Sequence, residues 1–594
     1  TSRVENDPVD AEWRRLARPT AVATVDLQPL GADEAMALAA GFANADAQMV
    51  QDCIARAEGN PLFLEQLLRL AATNGAESLP SSVQSLVLAR VDQLPAADKA
   101  ALQAASVLGQ HFLLPVLQSL IGKPAYVCAE PKERNLVRQG IDDFLFAHAL
   151  IWESVYASLL RDRRRDLHVL ASRILADEDP MLRAQHLDRA DDPGAPSAYQ
   201  EAAQIQLEAF RFEEALDLLG RAVELTDPGH DQFEMLCVSG DALLELTKGE
   251  DAIEMFRAAL DGAETAAEKC RAWLGMVAGM RLIDAYDDAL EVLDLAQAVA
   301  DGDGGLGREL SAIHYFRGSI FFPMGNLDGC LEQHGKALDL AIASASPEDE
   351  AKALSGLGDA HYAKGRMKTS LEHFVRARDL CQAHGLGRIE VGTLYMIAWT
   401  GLYVSGAEKA LVSGLHAIDV SVRLGHRRGE ILSRLGTSSI LYERDDLQGA
   451  ADQAEKALVI IDALGANRFR GPALAHLARI AASRGDLKTA HAIMDEAWEV
   501  AQANNANFVG PWVLGVLAKL SDDQDKIAWA LKEAEAILEA GCVGHNYYWF
   551  YTDAMDVALR AGNFTECERY ADALEAYTEP EPLPQSDFCI ARGR

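Results

Sequence analysis

Phosphate chemistry is the first possibility to consider, because the segment Ile121-Gly122-Lys123-Pro124 approaches the end of a phosphate-binding loop. Such a loop needs the pattern G-x-x-x-x-G-K-[ST], whose amides and lysine hold the phosphates and whose hydroxyl binds Mg²⁺. Pro124 stands where the hydroxyl belongs, and the full pattern occurs nowhere in the chain. The sequence also has no nucleophile elbow and no recognisable pair of metal-binding aspartates. We therefore predict no catalytic residue and no enzyme activity for this chain alone.

Metal and disulfide chemistry are equally unsupported. The nine cysteines are scattered, with no C-x-x-C pair and no spacing typical of zinc ligands or of a disulfide framework. They are expected to be small buried residues in a reducing compartment. No apolar run approaches the roughly 20 residues of a membrane helix, and no signal peptide opens the chain. The sequence thus predicts no metal site, no membrane contact and a cytoplasmic location.

A recurring spacing of small residues organises most of the chain. A short turn leads into a helix that carries one small residue and another seven positions later, as in Ala215 with Ala222 and Ala252 with Ala259. Residues seven apart lie on nearly the same helical face, so a neighbouring helix can approach closely. The first small residues recur every 37 to 41 positions, at Ala215, Ala252, Ala289, Cys330, Ser370, Ala410, Ala450, Ala490, Ala528 and Cys567.

A second register of small residues lies twelve positions earlier, where the two helices of one repeat should cross. Its members are Gly240, Gly318, Gly358, Ala398, Ser438 and Ala478. The double register resembles the tetratricopeptide family, stretched beyond its usual period of roughly 34 residues. The resemblance implies an all-α, superhelical array of about ten repeats over residues 199–594, whose concave surface binds partners.

Aromatic residues on the first helices are candidates for that surface. If first helices line it, six side chains point inward: Tyr315, Tyr362, Tyr395, Trp399, Tyr403 and Tyr442. They could supply flat contact area with polar tips to a protein or small-molecule effector. Packing between adjacent repeats explains the same stripe equally well. The run Tyr547–Tyr551 goes all round a helix, so part of it is expected to be core and part exposed.

The first two hundred residues lack this repeat. Helices are predicted at about 32–43, 45–57 and 62–73, with Gly59 ending one helix and Pro61 opening the next. Further helices follow Leu79-Pro80, and Phe144–His148 alternates like a short strand before a helix at 149–160. Helices with one small β-element suggest a winged-helix domain. The basic run Arg161–Arg165 is expected to be a solvated helix end rather than a phosphate or DNA contact.

Two blocks carry a more specific resemblance. Gly59-Asn60-Pro61-Leu62-Phe63 and Phe146-Ala147-His148-Ala149-Leu150 resemble the end of the ATPase module of bacterial STAND-type signalling proteins. The residue sequence of the two blocks is most similar to that of the group linked to class III adenylate or guanylate cyclases. The resemblance implies four parts: the end of a truncated nucleotide-binding domain (1–30), a helical lid (31–76), a winged-helix-like domain (77–190) and the repeats (199–594). The chain is accordingly expected to be a piece of a longer protein.

The same resemblance implies nucleotide contacts. The turn of Gly59, Asn60, Pro61 and Leu62 would pack against adenine, Arg3 would reach the terminal phosphate, and His148 would contact phosphate. Without the resemblance, the turn is better explained as a simple link between helices, and His148 as a structural histidine. ATP or ADP is expected only together with an upstream nucleotide-binding domain, and no cofactor is expected for this chain alone.

Three hypotheses of function follow. The first is the regulatory and sensor region of an ATP-switched protein, whose repeats bind an effector and control an upstream ATPase and a nucleotide cyclase. The second is a transcription regulator of the maltotriose-activated type, with a DNA-binding domain after the repeats. The third is a free-standing scaffold. The formal net charge of −35 repels phosphate backbones, so we expect no nucleic-acid binding by this region.

Overall fold

A computed structural model describes residues 29–41, 47–57, 59–61, 63–65, 67–68, 83–141, 143–176, 179–209, 211–504 and 506–594. The chain divides into two compact units at Ala202. Within the described residues no helix is both long and apolar enough to cross a membrane.

In its described residues, the first unit is helical with one small sheet. Its elements are α1 Ala32–Ala39, α2 Ala47–Ala57, α3 Val83–Asp92, α4 Ala96–Leu108, β1 His111–Phe112, α5 Leu114–Ile121, α6 Ala129–Glu133, β2 Val137–Gln139, β3 Phe144–Phe146, α7 Ala149–Ala157, α8 Arg161–Ile174 and α9 Pro180–Arg189. The three strands are antiparallel in the order β1-β3-β2. A strand therefore lies where the alternation predicted one. Phe112 packs on Phe144 and Phe146, with ring centroids 6.0 and 5.9 Å apart.

The second unit is an array of antiparallel helix pairs, and the boundary between the two units falls within its first helix, α10. Even-numbered helices are the first members of the pairs: α10 Ala195–Glu208, α12 His230–Glu245, α14 Ala266–Leu282, α16 Gly307–Phe321, α18 Pro347–Ala363, α20 Gly387–Ser405, α22 Arg427–Glu443, α24 Arg470–Ser483, α26 Ala506–Leu520 and α28 His545–Arg560. Odd-numbered helices are the second members: α11 Phe212–Glu224, α13 Gly249–Asp261, α15 Tyr286–Asp301, α17 Leu327–Ala343, α19 Met367–His384, α21 Ala407–Arg423, α23 Leu447–Leu464, α25 Leu487–Asn504, α27 Gln524–Ala540 and α29 Phe564–Thr578. A last helix, α30, spans Pro584–Gly593, and a 3₁₀ turn at Asn467–Phe469 precedes α24. The all-α, tetratricopeptide-like array is confirmed.

The predicted small residues mark the tightest contacts, with one correction. Nine of the ten first-register residues are buried at 2% exposure or less, whereas Ala528 is exposed. Helix α27 begins after its cap Asp523, and its buried small residues are Ala530 and Ala534 instead. Ala530 lies forty positions after Ala490, as the other spacings require. The ninth position was therefore wrong by two residues.

The second register is buried as well, and it contacts the first. The Ser370 hydroxyl donates to the carbonyl of Gly358 at 2.7 Å, and the Ser438 hydroxyl donates to the carbonyl of Ala450 at 2.8 Å. Both bonds join positions twelve apart, as the predicted crossing of the two helices requires. Small side chains let the backbones come close enough for these hydrogen bonds.

Rings on second helices fill gaps between successive first helices. A methyl group added to Gly240 or Gly275 would lie 2.6 and 2.3 Å from the Phe256 ring. His334 occupies the corresponding place between Gly318 and Gly356, at 2.9 and 2.3 Å. Each glycine pair thus forms a window in the wall of first helices. The rings that fill these windows pack closely and stabilise the interface between neighbouring repeats.

Candidate binding surface of the repeat array

The first helices present one continuous inner face. Side chains on this face recur in steps of three to five positions around the crossing residues, as expected for one side of a helix. Besides the six predicted aromatic residues, the face carries Asp241, Glu245, Arg281, Lys352, Asp359, Arg388 and Arg428.

Charged groups from distant repeats meet across this face. The Arg388 guanidinium on α20 forms an ion pair with Glu245 on α12, with 2.9 Å between Nη2 and Oε2. Asp241, one helical turn before Glu245, keeps 61% of its side chain accessible. Burial by the surrounding protein nevertheless raises the pKa of this carboxyl. The Arg388–Glu245 ion pair crosses the inner face from α20 to α12, and the space beside it is the channel of the array.

Asp359 on α18 is within electrostatic reach of Arg281 on α14 and Arg428 on α22. Burial raises the pKa of Asp359 to about 7, and the positive charges of Arg428 and Arg281 oppose that rise. Among the described residues, none donates a hydrogen bond to this carboxylate. Burial lowers the pKa of Arg281, whose guanidinium stands 5.5 Å from the centre of the Phe316 ring. Among the described residues, no ion pair joins Asp359 to either arginine.

One ring, Tyr315, lies on the inner face near Arg281, and a second ring, His334, is buried behind it. Tyr315 is half-buried, and its ring centroid lies 5.5 Å from that of His334. His334 is 2% exposed, and burial lowers its pKa to about 3. Its Nδ1 has no hydrogen-bond partner among the described residues. A neutral imidazole therefore stands behind Tyr315 and adds no charge to the channel.

Half of the predicted aromatic surface contacts the C-terminal helices of the same chain. The Trp399 indole donates from Nε1 to the Tyr362 hydroxyl at 2.9 Å, and this hydroxyl lies 2.6 Å from Nδ1 of His545 on α28. Tyr403 packs on Tyr548, with ring centroids 5.4 Å apart. Tyr362 and Tyr403 are only 6% and 4% exposed. The array thus closes on itself along this stripe.

Polar contacts reinforce the closure. Glu581, which precedes α30, accepts from the Lys368 amide at 2.6 Å and from the Thr369 hydroxyl at 2.7 Å. The Tyr548 hydroxyl donates to the carbonyl of Gly365 at 2.7 Å. Within the run Tyr547–Tyr551, two residues are buried and three are half-buried, so the expectation of an exposed part was wrong. The reason is that α20, α26 and α29 pack against α28.

The other predicted aromatic residues differ in their surroundings. Tyr395 is half-buried on the inner face. The Tyr442 ring lies 4.3 Å below the Arg479 guanidinium, and its hydroxyl is 2.9 Å from that of Ser483. A partner role for the six aromatic residues stays a prediction. Sequence reasoning missed the charged residues, although Asp241 and Asp359 directly follow the predicted crossing residues Gly240 and Gly358.

The predicted nucleotide turn is a compact helix junction. Gly59 has φ +78°, and an added methyl group would lie 2.7 Å from the Pro29 side chain. The amide of Leu30 donates to the Gly59 carbonyl at 2.8 Å, and Asn60 Oδ1 accepts from the Phe63 amide at 3.1 Å. Gly59, Asn60 and Pro61 thus fix the start of a helix. Leu62 lies outside the described residues, and the predicted adenine contact stays untested.

Of the two other predicted nucleotide residues, the structure describes His148. His148 caps α7, since its Nδ1 accepts from the Leu150 amide at 3.2 Å. Arg3 lies outside the described residues. In the basic run, Arg161 pairs with Asp191 at 3.0 Å, and Arg165 donates to the Ala190 carbonyl at 2.7 Å. These two arginines therefore hold α8 against the end of α9.

Thiol and metal chemistry find no support among the described residues. All nine cysteines are free, and eight of them are buried. Burial raises the pKa of most of these thiols, for example that of Cys128 to about 11. No group of three or more His, Cys, Asp or Glu side chains that could hold a metal ion occurs in the part of the chain that the structure describes.

Comparison with known proteins gives distant likenesses. No family model matches the chain. It is 30% identical over 254 residues to an uncharacterized protein of Rhizobium meliloti (strain 1021), a match that covers 36% of this chain and 24% of that protein. The chain thus spans about a quarter of the length of this curated relative.

Two solved structures have a similar fold. One is a Signal Transduction ATPase with Numerous Domains (STAND) protein with a tetratricopeptide repeat sensor from Pyrococcus horikoshii, at 15% identity and TM-score 0.46, covering 80% of this chain and 73% of that one. Another is a Rap protein complexed with competence and sporulation factor, at 16% identity and TM-score 0.44, covering 61% of this chain and 99% of that one.

Proposed function

We propose that this chain is the regulatory and sensor region of an ATP-switched signalling protein. The repeats bind an effector, a peptide segment of a partner protein, on the inner face of the array. The first unit, with its lid and winged-helix-like parts, transmits the bound state to a nucleotide-binding domain upstream and to an output domain such as a nucleotide cyclase. Because such a switch requires different effector affinities in its two states, the array must change when the effector binds.

One observation carries the proposal. Charged side chains of first helices face one another across a channel that is open to water, and Asp359 has no hydrogen-bond partner there among the described residues. Charged groups that serve only solubility belong on the outer surface, where water solvates them fully. Keeping them inside a recess costs solvation energy, which a bound ligand can offset. The inner face is therefore better explained as a binding surface than as packing.

An unbiased selection tests the effector site. Random peptides displayed on ribosomes would be enriched on the immobilised full chain, and hydrogen exchange would then map the best binder. We expect slower exchange in the first helices α14 to α22. Enrichment of peptides that protect only the second helices, or no enrichment over a blank surface, would contradict an effector site on the inner face.

Nucleotide binding gives a separate test of the proposal that an upstream domain, and not this chain, holds the nucleotide. The chain has no phosphate-binding loop, so we propose that the first unit responds to ATP or ADP without holding it alone. Titration of the chain with a fluorescent ATP analogue should show no saturable binding in the micromolar range. Saturable binding without an upstream domain would refute this arrangement.

A further inference from the structure

We propose that the repeat array has a closed and an open state, and that the contact of residues 545–594 with α18–α20 is a reversible closure. The structure is the closed state. In the open state, the helices α22–α30 move as one arm about the interface of α21 with α22, and the rings of α18 and α20 become accessible. This inference concerns the array itself and goes beyond the proposed function, because it does not depend on which effector the repeats bind.

The closure covers rings that belong to the inner face. Tyr362 on α18 and Tyr403 on α20 are almost fully buried, because α28 packs on both of them. Trp399, also on α20, contacts Trp549 of α28 with ring centroids 5.4 Å apart. A segment of the same chain therefore occupies a surface of three large rings that an open array would present to solvent.

The closed state leaves polar atoms unsatisfied at this contact. The hydroxyl of Tyr403 is buried and has no hydrogen-bond partner among the described residues, and the same holds for the hydroxyl of Tyr577 on α29. Each unpaired buried group raises the free energy of the closed state, and water would satisfy it in the open state. Ring packing favours closure and the unpaired hydroxyls oppose it, so an open state of modest population is expected.

Polar contacts at the edge of the closure are suited to breaking and forming again. Glu581 accepts from the amide of Lys368 at 2.6 Å and from the hydroxyl of Thr369 at 2.7 Å. The Lys368 ammonium group donates to the carbonyl of Pro582 at 2.6 Å. Lys368 is exposed, and Thr369 and Glu581 are half-buried. At such places water replaces a lost partner at small cost.

Helix α28 is also bound to its neighbour α26, and opening does not disturb that contact. The side chain of Asn546 accepts from the Trp512 amide at 3.2 Å and donates to the Phe508 carbonyl at 2.9 Å. Asp553 forms an ion pair with Lys519, with 3.0 Å between Oδ1 and Nζ. These three partners all lie on α26. Opening therefore separates α28 from α18 and α20 and leaves the arm intact.

The interface of α21 with α22 has the features of a hinge. Phe256, His334 and Phe374 follow their first-register residues by four positions, and Gly414 on α21 stands at the corresponding place without a ring. Thr437 of α22 lies there instead, with its hydroxyl 2.6 Å from a methyl group added to Gly414. This hydroxyl is buried without a hydrogen-bond partner within the described part of the chain. Without a ring between them, two repeats can rotate against each other with a smaller loss of packing.

Hydroxyl-radical footprinting of the full chain tests the closure, because it reports the solvent exposure of single aromatic side chains. Glu581→Lys replaces a hydrogen-bond acceptor by a positive charge beside Lys368 and should open the array. We expect oxidation of Tyr362 and Tyr403 to rise by about tenfold. Phe374, in the core of the same repeat as Tyr362, should stay protected. Small-angle X-ray scattering should show a larger radius of gyration, with unchanged helical circular dichroism.

Three further variants identify the parts of the device. Lys368→Glu combined with Glu581→Lys restores opposite charges at the edge of the closure and should return oxidation toward that of the unaltered chain. Glu579→Lys makes the same change of charge at an exposed position two residues earlier and should have no effect. Thr437→Val, added to Glu581→Lys, replaces an unpaired buried hydroxyl by a methyl group. It should tighten the hinge and reduce the oxidation of Tyr362.

Each alternative result would overturn part of the inference. Oxidation of Phe374 together with Tyr362 would mean that the repeat unfolds rather than opens. Full protection of Tyr362 and Tyr403 in Glu581→Lys would mean that the closure is permanent. Equal oxidation with and without Thr437→Val would place the hinge elsewhere. None of these results changes the outcome of the peptide selection, so the failure of this inference is distinguishable from failure of the proposed function.

Discussion

The hydroxyl of Tyr362 and Nδ1 of His545 lie 2.6 Å apart, although 183 residues of chain separate them. Burial lowers the pKa of His545 to about 3, so its ring is neutral at pH 7 and Nδ1 can accept the hydroxyl hydrogen. The same hydroxyl accepts from Trp399 Nε1. This chain of hydrogen bonds joins the fifth first helix of the array, α18, to the tenth, α28.

Tyr362→Phe should weaken the closure. Loss of the hydroxyl leaves both Trp399 Nε1 and His545 Nδ1 without their partner in a buried place, which we expect to cost about 2 kcal/mol. Urea unfolding followed by tryptophan fluorescence measures the change, since Trp399 and Trp549 are in contact there. Tyr442→Phe is the control, because its hydroxyl meets Ser483 at a more exposed place. An equal decrease in the free energy of unfolding in both variants would show that the Tyr362 hydroxyl adds no particular stability to the closure.

Glu581→Gln should loosen the C-terminal helices without unfolding the array. The carboxylate accepts from the Lys368 amide and from the Thr369 amide and hydroxyl, and a neutral amide is a weaker acceptor. We expect a loss of about 1 kcal/mol, seen as faster hydrogen exchange in residues 545–594. Glu579→Gln, at an exposed neighbouring position, should leave exchange unchanged. Unchanged exchange in Glu581→Gln would mean that ring packing alone holds the closure.

How far the sequence predicts this molecule depends on the range of the interactions. The positions of Ala215, Ala252 and Gly358 follow from contacts between neighbouring helices, and local spacing encodes those contacts. The contact of Tyr362 with His545 depends on the superhelical twist summed over several repeats, which no local pattern specifies. The spacing therefore predicted that the aromatic stripe faces inward, and it could not predict that α28 covers part of it.

The charged channel shows the same limit. Arg281 and Arg428 stand on helices four repeats apart, and nothing in their local sequence marks them as neighbours of Asp359. Only their positions on the inner face of each first helix could have indicated a shared surface. For the first unit, the Gly59–Pro61 turn and the strand at Phe144–Phe146 are local features, and the structure places both as the sequence predicts.

Acid should destabilise the first unit through two buried histidines. Nδ1 of His168 lies 2.8 Å from Nδ1 of His186, and Nε2 of His168 lies 2.9 Å from the Tyr156 hydroxyl. Burial is the main cause that lowers the two pKa values to about 3 and about 4, with further contributions from Arg164 and Arg189. Both rings are neutral in the folded unit, and both are protonated below about pH 6.5 once the chain unfolds.

These pKa values determine how the stability of the first unit changes with pH. Stability is complete above about pH 6.5 and is lost as the pH falls toward 4, by up to about 1.4 kcal/mol per pH unit for each histidine. Hydrogen exchange in residues 149–189, corrected for its intrinsic pH dependence, measures the loss. His186→Gln removes one titrating group and should make the dependence shallower. His230→Gln, at an exposed ion pair with Glu268, should leave it unchanged. A slope unaffected by His186→Gln would contradict the assignment.

Gly240→Ala should destabilise the array although alanine favours helices. The added methyl group would lie 2.6 Å from the Phe256 ring, and the ring cannot retreat because Gly275 holds its other edge. Overpacking of this kind costs about 1–3 kcal/mol, more than the gain of roughly 1 kcal/mol in helix propensity. Gly220→Ala is the matched control, since nothing lies within 4 Å of its added methyl group, and it should stabilise the chain. Urea unfolding gives both values.

Phe256→Leu should abolish the penalty of Gly240→Ala in the double variant, because the window then has room for the methyl group. If Gly240→Ala still destabilised the Phe256→Leu variant, the added methyl group would clash with another residue. The Phe256 ring would then not be what holds these neighbouring repeats together.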